Sequence, residues 1–284
     1  MNLRNLCLLA TLAAGLAACS SPTHVFVANT PNVPLLKEKN EFKGSVSTRN
    51  AAAAYAITDH IAVSANAQYL WGFRSGDRKD YYDDVYLKDY DSRGHGFEGA
   101  IGYFTAFGHK KLMVFDVYAG VGTGYGKTYE KTFYESPQDN TVKKDYLLET
   151  KYSKVFIQPS IGFVHRAVEI AFSPRFQVVN FYGAKAGRAA FYENEYDLKD
   201  FNRSVSRSIP MFQPTFTFRA GKKLVKFQMQ YMFTLPVDDS GAYYAESSHR
   251  YYRFFTGDMG IAFNIAKWYN QTYSKSARAK RYRD

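Results

Sequence analysis

The stretch that decides the fold is residues 61–73, which read IAVSANAQYLWGF. Every odd-numbered position in it is apolar, whereas the even-numbered positions include Ser64, Asn66 and Gln68. A period of two places one face of a β-strand in apolar surroundings and the other face in polar ones. The same alternation returns at 97–107, 113–125, 155–163, 168–178, 212–218, 225–233 and 255–265. The pattern therefore predicts an all-β protein.

The connections between these segments are alternately short and long. Short polar turns fall at 58–60, 108–111, 165–167 and 220–223, and long polar stretches fall near 74–95, 127–152, 181–208 and 236–249. Short turns at one end and long loops at the other are typical of a transmembrane β-barrel. A first hairpin at 41–48 and 51–57 brings the count to ten strands. We predict a closed antiparallel transmembrane β-barrel over 41–265, with periplasmic turns and long outer loops.

A soluble barrel of the lipocalin type would show the same alternation with its apolar face turned inward. Three features favour the membrane form. Aromatic residues gather near strand ends, most segments exceed the roughly 9 to 11 residues that a membrane strand needs, and the polar face is rich in glycine. The 24 Tyr and 23 Phe of the chain also suit aromatic girdles in a bilayer. We therefore expect the apolar side chains to point outward.

Three prolines fit this barrel poorly. Pro159, Pro174 and Pro214 fall within predicted strands. Proline cannot donate a ladder hydrogen bond and is normally confined to edges or bulges. A closed barrel has no edge, so we expect bulges at these sites or strand ends that lie nearer to them.

The N-terminus has the layout of an export signal, with Arg4 followed by an apolar stretch and then small residues. The run Leu16-Ala17-Ala18-Cys19 resembles the lipobox of bacterial lipoproteins. The resemblance implies that residues 1–18 are removed and that Cys19 carries acyl chains such as palmitate. Cys7 lies inside the removed segment, so the mature chain has no pair of cysteines for a disulfide. Residues 19–40 contain several prolines and no sustained period, which predicts a linker.

The position of the anchor can also be predicted. By resemblance to bacterial lipoproteins, the absence of Asp after Cys19 implies sorting to the outer membrane, and the absence of acidic residues there favours an anchor in the periplasmic leaflet. An even number of strands places both chain ends on the turn side as well. The basic tail, 266–284, carries six Lys and Arg against Asp284 and is expected to be solvated or to contact anionic lipid. An exported chain is not expected to bind nucleic acid.

Four segments carry a family resemblance: TPNVPLL at 30–36, YAITDHIAV at 55–63, QPSIG at 158–162 and EIAFSPR at 169–175. Together they resemble a group of outer-membrane barrel lipoproteins common in Bacteroidota. The resemblance implies a barrel fold and an outer-membrane location. It implies no activity.

The polar face carries a balanced set of charges. The acids are Glu98, Asp116, Glu169 and Asp258, and the bases are Lys154, Arg175, Arg219 and Lys226. Unpaired charges in a narrow lumen are costly, whereas paired ones are tolerated. We therefore expect a lumen filled by a charge network, in a barrel too narrow to hold an open water channel like that of a porin. A narrow path for ions or solutes is the alternative.

A hydrolase at the outer rim is a further alternative. Omptin-type proteases place acidic pairs and an Asp–His pair there, and this chain has Asp83, Asp84, Asp238 and Asp239 in predicted outer loops, with His95 and His249 near strand tops. The spacing matches no motif, so we expect solvated loop carboxylates and no enzyme activity. The sequence shows no metal-ligand spacing or cofactor motif. The tyrosine-rich loops suit a structural or surface-recognition role toward an extracellular ligand, with outer-membrane lipid as the other partner.

Overall fold

The computed structural model describes residues 24–70, 93–130, 140, 142–192, 195–206, 208–222, 224–237 and 251–264. The strands in this part of the chain are β1 (Phe42–Ser47), β2 (Asn50–Ala56), β3 (Ile61–Leu70), β4 (Arg93–Phe107), β5 (Met113–Tyr129), β6 (Leu147–Val164), β7 (Val168–Phe181), β8 (Lys185–Ala186), β9 (Ser208–Gly221), β10 (Val225–Phe233), β11 (Leu235–Pro236) and β12 (Phe255–Asn264). An α-helix, α1 (Glu195–Val205), and 3-10 turns at His109–Lys111 and Lys143–Tyr146 complete the elements.

The ten long strands form a closed antiparallel barrel. Each pairs with its neighbour along the chain, and β12 pairs with both β10 and β1, as in Phe227↔Ile261 and Lys43↔Asn264. The two-residue strands β8 and β11 extend β6 and β9 locally. The prediction of an all-β closed barrel of ten strands is confirmed. Among the described residues, no helix has both the length and the apolar character needed to cross a membrane.

The two faces of the strands point as the alternation predicts. On β4, the outward-facing Phe97 and Ile101 are 57% and 58% exposed, whereas Glu98 between them is 7% exposed. Similar large apolar side chains cover the outer face of β3, β6, β7, β9, β10 and β12, and the polar side chains of the same strands are buried in the lumen. The arrangement is the reverse of a soluble barrel, in which the apolar face would line the interior.

The two ends of the barrel differ. The four short turns lie together at one end, which we call the turn end; the opposite end is the loop end. The structure places α1 at the loop end, within a stretch that the sequence analysis treats only as a polar loop. Leu198, Phe201 and Val205 give the helix one apolar face, and this face packs against Phe191 and Tyr251. The helix thus joins an apolar cluster that continues into the strap and the barrel strands.

The loop end also contains a surface ion pair outside the barrel strands. Arg188 contacts both carboxylate oxygens of Asp145, at 3.0 and 3.1 Å, and this hydrogen bonding lowers the pKa of Asp145. The guanidinium is largely exposed, so the pair orders the loop more than it stabilises the fold.

The three strand prolines lie in a row. Pro174 on β7 pairs directly with Pro214 on β9. The β6–β7 ladder pairs Ile157↔Phe176, lapses, and resumes at Ile161↔Phe172 in an unchanged register, so Pro159 faces Pro174. The expected bulges are therefore wrong. The β6–β7 ladder has a gap where Pro159 faces Pro174, the β7–β9 ladder continues through Pro174 and Pro214, and no strand has an extra residue.

The segment before β1 is inside the barrel. Residues 24–36, which we call the strap, are buried along almost their whole length. At the loop end, the backbone N–H of Val25 donates to the Tyr251 carbonyl at 3.0 Å. At the turn end, Leu36 packs with Phe104 and Tyr118. The prediction of a linker is wrong for 24–36, because its apolar side chains and its backbone carbonyls both have partners in the lumen.

The direction of the strap also differs from expectation. The even number of predicted strands places both chain ends at the turn end. Asn264, where β12 stops, pairs with Lys43 and does lie there. His24 instead lies at the loop end, beside Leu70 and Tyr125. The strap crosses the whole lumen before the chain turns into β1.

Candidate functional site

The lumen wall binds the strap mainly through its carbonyl groups. The donors come from six different strands and reach seven strap carbonyls. They are Thr150 to Val25 (2.7 Å), Gln68 to Ala28 (3.1 Å), Asn66 and Asn50 to Thr30 (2.8 and 3.3 Å), Gln230 to Pro31 (3.0 Å), Gln158 to Asn32 (2.7 Å), Arg219 to Val33 (2.8 Å) and Lys43 to Leu35 (2.7 Å). A buried backbone without a strand partner needs such donors. The wall supplies them along the length of the strap.

The strap is extended because of its own sequence. Pro31 and Pro34 lack a backbone donor, and each restricts the residue before it to extended conformations. Neither proline could pair fully in a β-ladder or continue a helix. Side chains from the wall therefore take the place that a neighbouring strand would have.

The strap divides the lumen into three layers. At the loop end, the ring of Phe26 packs edge-on against Tyr152 and Phe181, with centroids 4.9 and 5.8 Å apart. In the middle, the polar residues 29–32 meet the polar wall. At the turn end, Val33 and Leu35 join an apolar cluster with Val114. The strap thus matches its apolar residues to the apolar ends of the lumen and its polar residues to the centre.

One charge cluster centres on Glu98. Its carboxylate contacts Lys154 Nζ at 2.5 Å and Arg175 Nη1 at 3.0 Å. Arg175 also donates twice to Gln158 Oε1 and lies over the Phe156 ring, 4.4 Å from its centroid. All three charged side chains are at most 3% exposed. Two cations against one carboxylate leave this cluster with a formal positive charge.

A second cluster centres on Glu169. Its carboxylate contacts Arg219 at 3.1 Å and Lys226 at 2.8 Å, with Lys43 at 4.0 Å. Arg219 also donates to Gln228 at 2.7 Å. Its third contact is the strap carbonyl of Val33, so this cluster holds the strap directly. The Glu98 cluster reaches the strap through Lys154, which is 3.4 Å from Asn29 Oδ1.

The other two predicted acids form no salt bridge within 4.0 Å among the described residues. Asp258 accepts hydrogen bonds from Thr30 of the strap at 3.2 Å and from Thr48 at 3.4 Å. Asp116 is fully buried next to Ser160, and neither carboxylate oxygen has a hydrogen-bond partner of standard geometry among the described residues. The expected charge network therefore forms around Glu98 and Glu169. It does not extend to Asp116 or Asp258.

The free space in the lumen is unequal at the two ends. A cavity of about 1100 Å³ lies at the turn end, and its wall includes Lys43, Glu169, Arg219 and Lys226. At the loop end, a cavity between the strap and the wall beside His24 measures about 10 Å³. That volume holds about one water molecule. The strap therefore packs closely against the wall beside His24, and a vestibule lies at the turn end.

The residues of the rim-hydrolase alternative are not brought together in the described part of the chain. His95 lies on β4 opposite Tyr69 and faces outward, near the rings of Phe97 and Tyr125. Asp83, Asp84, Asp238, Asp239 and His249 lie outside the described residues, as do Cys19, the signal 1–18 and the tail 266–284. Within the described ranges, no three His, Cys, Asp or Glu side chains are placed to hold a metal ion.

Sequence reasoning missed Lys43 and the role of the lumen amides. Asn66, Gln68, Gln158 and Gln228 stand on the polar face of the predicted strands, but nothing in the strands shows that most of them bind a strap. The signal lies in the strap itself. Val25, Phe26, Val33, Leu35 and Leu36 make it more apolar than a solvated linker should be.

A scan against protein-family models finds no match to this sequence, and a search of curated proteins finds no similar chain. The fold and the lumen by themselves define the class: a closed antiparallel ten-stranded β-barrel whose interior is occupied by its own N-terminal segment.

Proposed function

We propose that this chain is an outer-membrane lipoprotein whose barrel spans the bilayer and whose role is structural or one of surface recognition. The observation that carries the proposal is the direction of the side chains. Large apolar residues surround the outside of the barrel, while buried charges and amides fill the inside. A bilayer provides apolar surroundings for such an outer face, and a closed barrel leaves no unpaired strand edge in lipid.

The size of the apolar surface supports a membrane location. Exposed Val, Ile, Phe, Tyr or Met side chains occur on every one of the ten long strands. A soluble monomer rarely exposes a contiguous apolar patch of more than a few hundred Å². The strands β4 to β7 have 14 to 18 residues. A membrane strand needs only about 9 to 11.

The closed lumen favours a barrel that does not conduct. The strap runs through the lumen, and the gap between it and the wall beside His24 holds about one water molecule. A path for ions or solutes would require the strap to move out of seven hydrogen-bonded positions. The narrow channel is therefore the weaker alternative.

The loop end offers a surface for recognition. Tyr182, Tyr192 and Tyr196 are 59 to 68% exposed around α1. Tyrosine provides a large contact area at a low cost in conformational entropy, which is typical of binding surfaces. An extracellular ligand would meet these side chains first.

Membrane insertion is tested in cells, and conduction is tested with the purified chain. We expect the protein to fractionate with outer membranes, to resist extraction by carbonate, and to migrate differently in gels before and after boiling. In liposomes it should release no small entrapped dye or ion. Recovery in the soluble periplasmic fraction would contradict the membrane location. Dye release lost in Arg219→Ala would support the channel instead.

Lipidation is tested with radiolabelled palmitate. We expect the wild-type chain to incorporate the label and Cys19→Ala to lose it. Cys7→Ala is the matched control, because this cysteine lies in the removed segment and its loss should leave labelling unchanged. Equal labelling of the two variants would contradict an anchor at Cys19.

A further inference from the structure

The direction of the strap determines which side of the barrel receives the N-terminus. At the loop end, the backbone N–H groups of Val25 and Phe26 donate to the Tyr251 carbonyl, and the N–H of Arg253 donates to the Phe26 carbonyl. After the strap, Lys37 Nζ donates to the carbonyls of Lys111 and Val164 in two turns at the turn end, at 2.7 and 3.0 Å. The strap residues between Phe26 and Lys37 contact the wall in chain order from the loop end to the turn end. The chain upstream of His24 therefore starts from the loop end.

The length of that upstream chain is short. Only five residue steps separate Cys19 from His24. A fully extended chain covers about 3.3 to 3.6 Å per residue, so these steps reach about 17 Å. The apolar band of a membrane barrel is about 25 Å tall. Five residues cannot bring Cys19 back across the band to the turn end, inside or outside the barrel.

The strap leaves the lumen close to one wall. His24 lies beside Leu70 of β3 and beside Arg93 and His95 of β4, at the rim of the barrel. Five residues are sufficient to cross this rim and to bring acyl chains to the adjacent lipid. We propose that the acylated Cys19 is anchored on the loop side, in the outer leaflet at the cell surface, and that the strap threads the barrel. This inference rests on the proposed function and replaces the expected periplasmic anchor.

Threading would also make the plug permanent. The strap is joined to β1 at the turn end, and acyl chains would hold it at the loop end. Withdrawal of the strap would draw the acyl chains through a lumen whose wall packs closely against the strap beside His24. The ladder from β10 through β12 to β1 would then have to close around a strap that is already in place.

Single-cysteine labelling tests the position of the anchor. Acylated Cys19 does not react with maleimide, so an added cysteine is the only reactive thiol in the mature chain. Pro22→Cys reports the segment next to the anchor, the exposed Lys144→Cys reports the loop end and the exposed Arg166→Cys reports a turn. Intact cells are treated with a membrane-impermeant maleimide, and a second sample is treated after permeabilisation.

We expect Pro22→Cys and Lys144→Cys to label in intact cells and Arg166→Cys to label only after permeabilisation. If Pro22→Cys behaves like Arg166→Cys while Lys144→Cys still labels in intact cells, the inference is overturned and the proposed barrel stands. If Lys144→Cys is protected and Arg166→Cys labels in intact cells, the orientation is reversed and both proposals fail.

A disulfide tests the threading itself. A Cβ built on Gly96 would lie 3.0 Å from Asn29 Oδ1 of the strap. We expect the double variant Asn29→Cys, Gly96→Cys to oxidise in cells and to show a shifted gel mobility that reductant reverses. Asn29→Cys paired with Val46→Cys is the control, since Val46 points outward and should not cross-link. Failure of the first pair in a folded, membrane-inserted barrel would overturn the threaded strap.

Discussion

Glu98 and Glu169 both face the lumen, and each contacts one Lys and one Arg within 3.1 Å, but these partners come from different distances around the barrel. Glu169 on β7 lies directly opposite Arg219 on β9, and Lys226 stands on the next strand, β10. Glu98 on β4 contacts Lys154 two strands away on β6 and Arg175 three strands away on β7. The Glu169 cluster joins neighbouring strands, whereas the Glu98 cluster spans the lumen.

A glycine makes the longer contact feasible. Gly122 on β5 pairs with Glu98 on one side and with Lys154 on the other. A Cβ on Gly122 would lie 3.0 Å from Glu98 Cγ and 3.0 Å from Lys154 Cε. The two side chains therefore meet over a position that has no side chain. Charges on neighbouring strands pair because the strand register places them opposite each other. Charges on strands that are further apart need a residue without a side chain on the strand between them.

The surroundings of the two clusters also differ. Glu169, Arg219 and Lys226 line the open vestibule at the turn end. Lys154 and Arg175 are each only 1% exposed and lie deeper. Water can therefore solvate the Glu169 cluster more easily than the Glu98 cluster. Removal of the carboxylate should have unequal effects at the two sites.

The largest effect is expected for Glu98→Ala, which leaves Lys154 and Arg175 buried without a carboxylate. We expect the free energy of unfolding to fall by about 3 to 5 kcal/mol. Urea unfolding in lipid vesicles, followed by tryptophan fluorescence and gel mobility, measures it. Glu38→Ala, the same change at an exposed acid at the turn end, should stay within about 0.5 kcal/mol. Equal values for the two variants would contradict a dry charge cluster.

A smaller loss is expected for Glu169→Ala, about 2 kcal/mol, because water in the vestibule partly solvates Arg219 and Lys226. The same unfolding assay measures it, and the loss should shrink further when the salt concentration is raised. A loss larger than that of Glu98→Ala would reverse the comparison between the two sites.

Gly122→Ala should cost about 1 to 2 kcal/mol, because the added methyl group crowds Glu98 and Lys154 and forces one of them to move. Gly99→Ala on the neighbouring strand is the matched control, since a Cβ there meets no atom within 4 Å. We expect Gly99→Ala to unfold at the same urea concentration as the wild type or at a slightly higher one. The same loss in both variants would show that the cost comes from the backbone and not from the ion pair.

The smallest effect, and one of opposite sign, is expected for Asp116→Asn. The change removes a buried carboxylate that forms no salt bridge and has no hydrogen-bond partner of standard geometry among the described residues, so the free energy of unfolding should rise by up to about 1 kcal/mol. Glu98→Gln is the comparison variant and should be destabilising. A loss of more than about 2 kcal/mol in Asp116→Asn would mean that the acid has a stabilising partner of its own.

Much of the barrel could be predicted from the sequence. The alternation around Phe97, Glu98 and Ile101 is a local property, so it indicates both the strand and the face of each residue. The short turns follow from the same reasoning. Helix α1 was missed although Leu198, Phe201 and Val205 have helical spacing, because a polar stretch between strands was treated as one loop. The bulges were wrong because a single strand does not reveal which residue faces each proline.

The sequence by itself determined which side chains share a face of each strand, since neighbouring residues on a strand must take opposite faces. The aromatic residues near strand ends and the glycine-rich polar face favoured the apolar face as the outer one. Only the tertiary structure decided what fills the interior. The hydrogen bond from Gln230 to the Pro31 carbonyl joins residues 199 positions apart, and the contact of Arg175 with Glu98 spans 77. Such contacts depend on closure of the barrel and on the path of the strap, and a period of two residues carries no information about either.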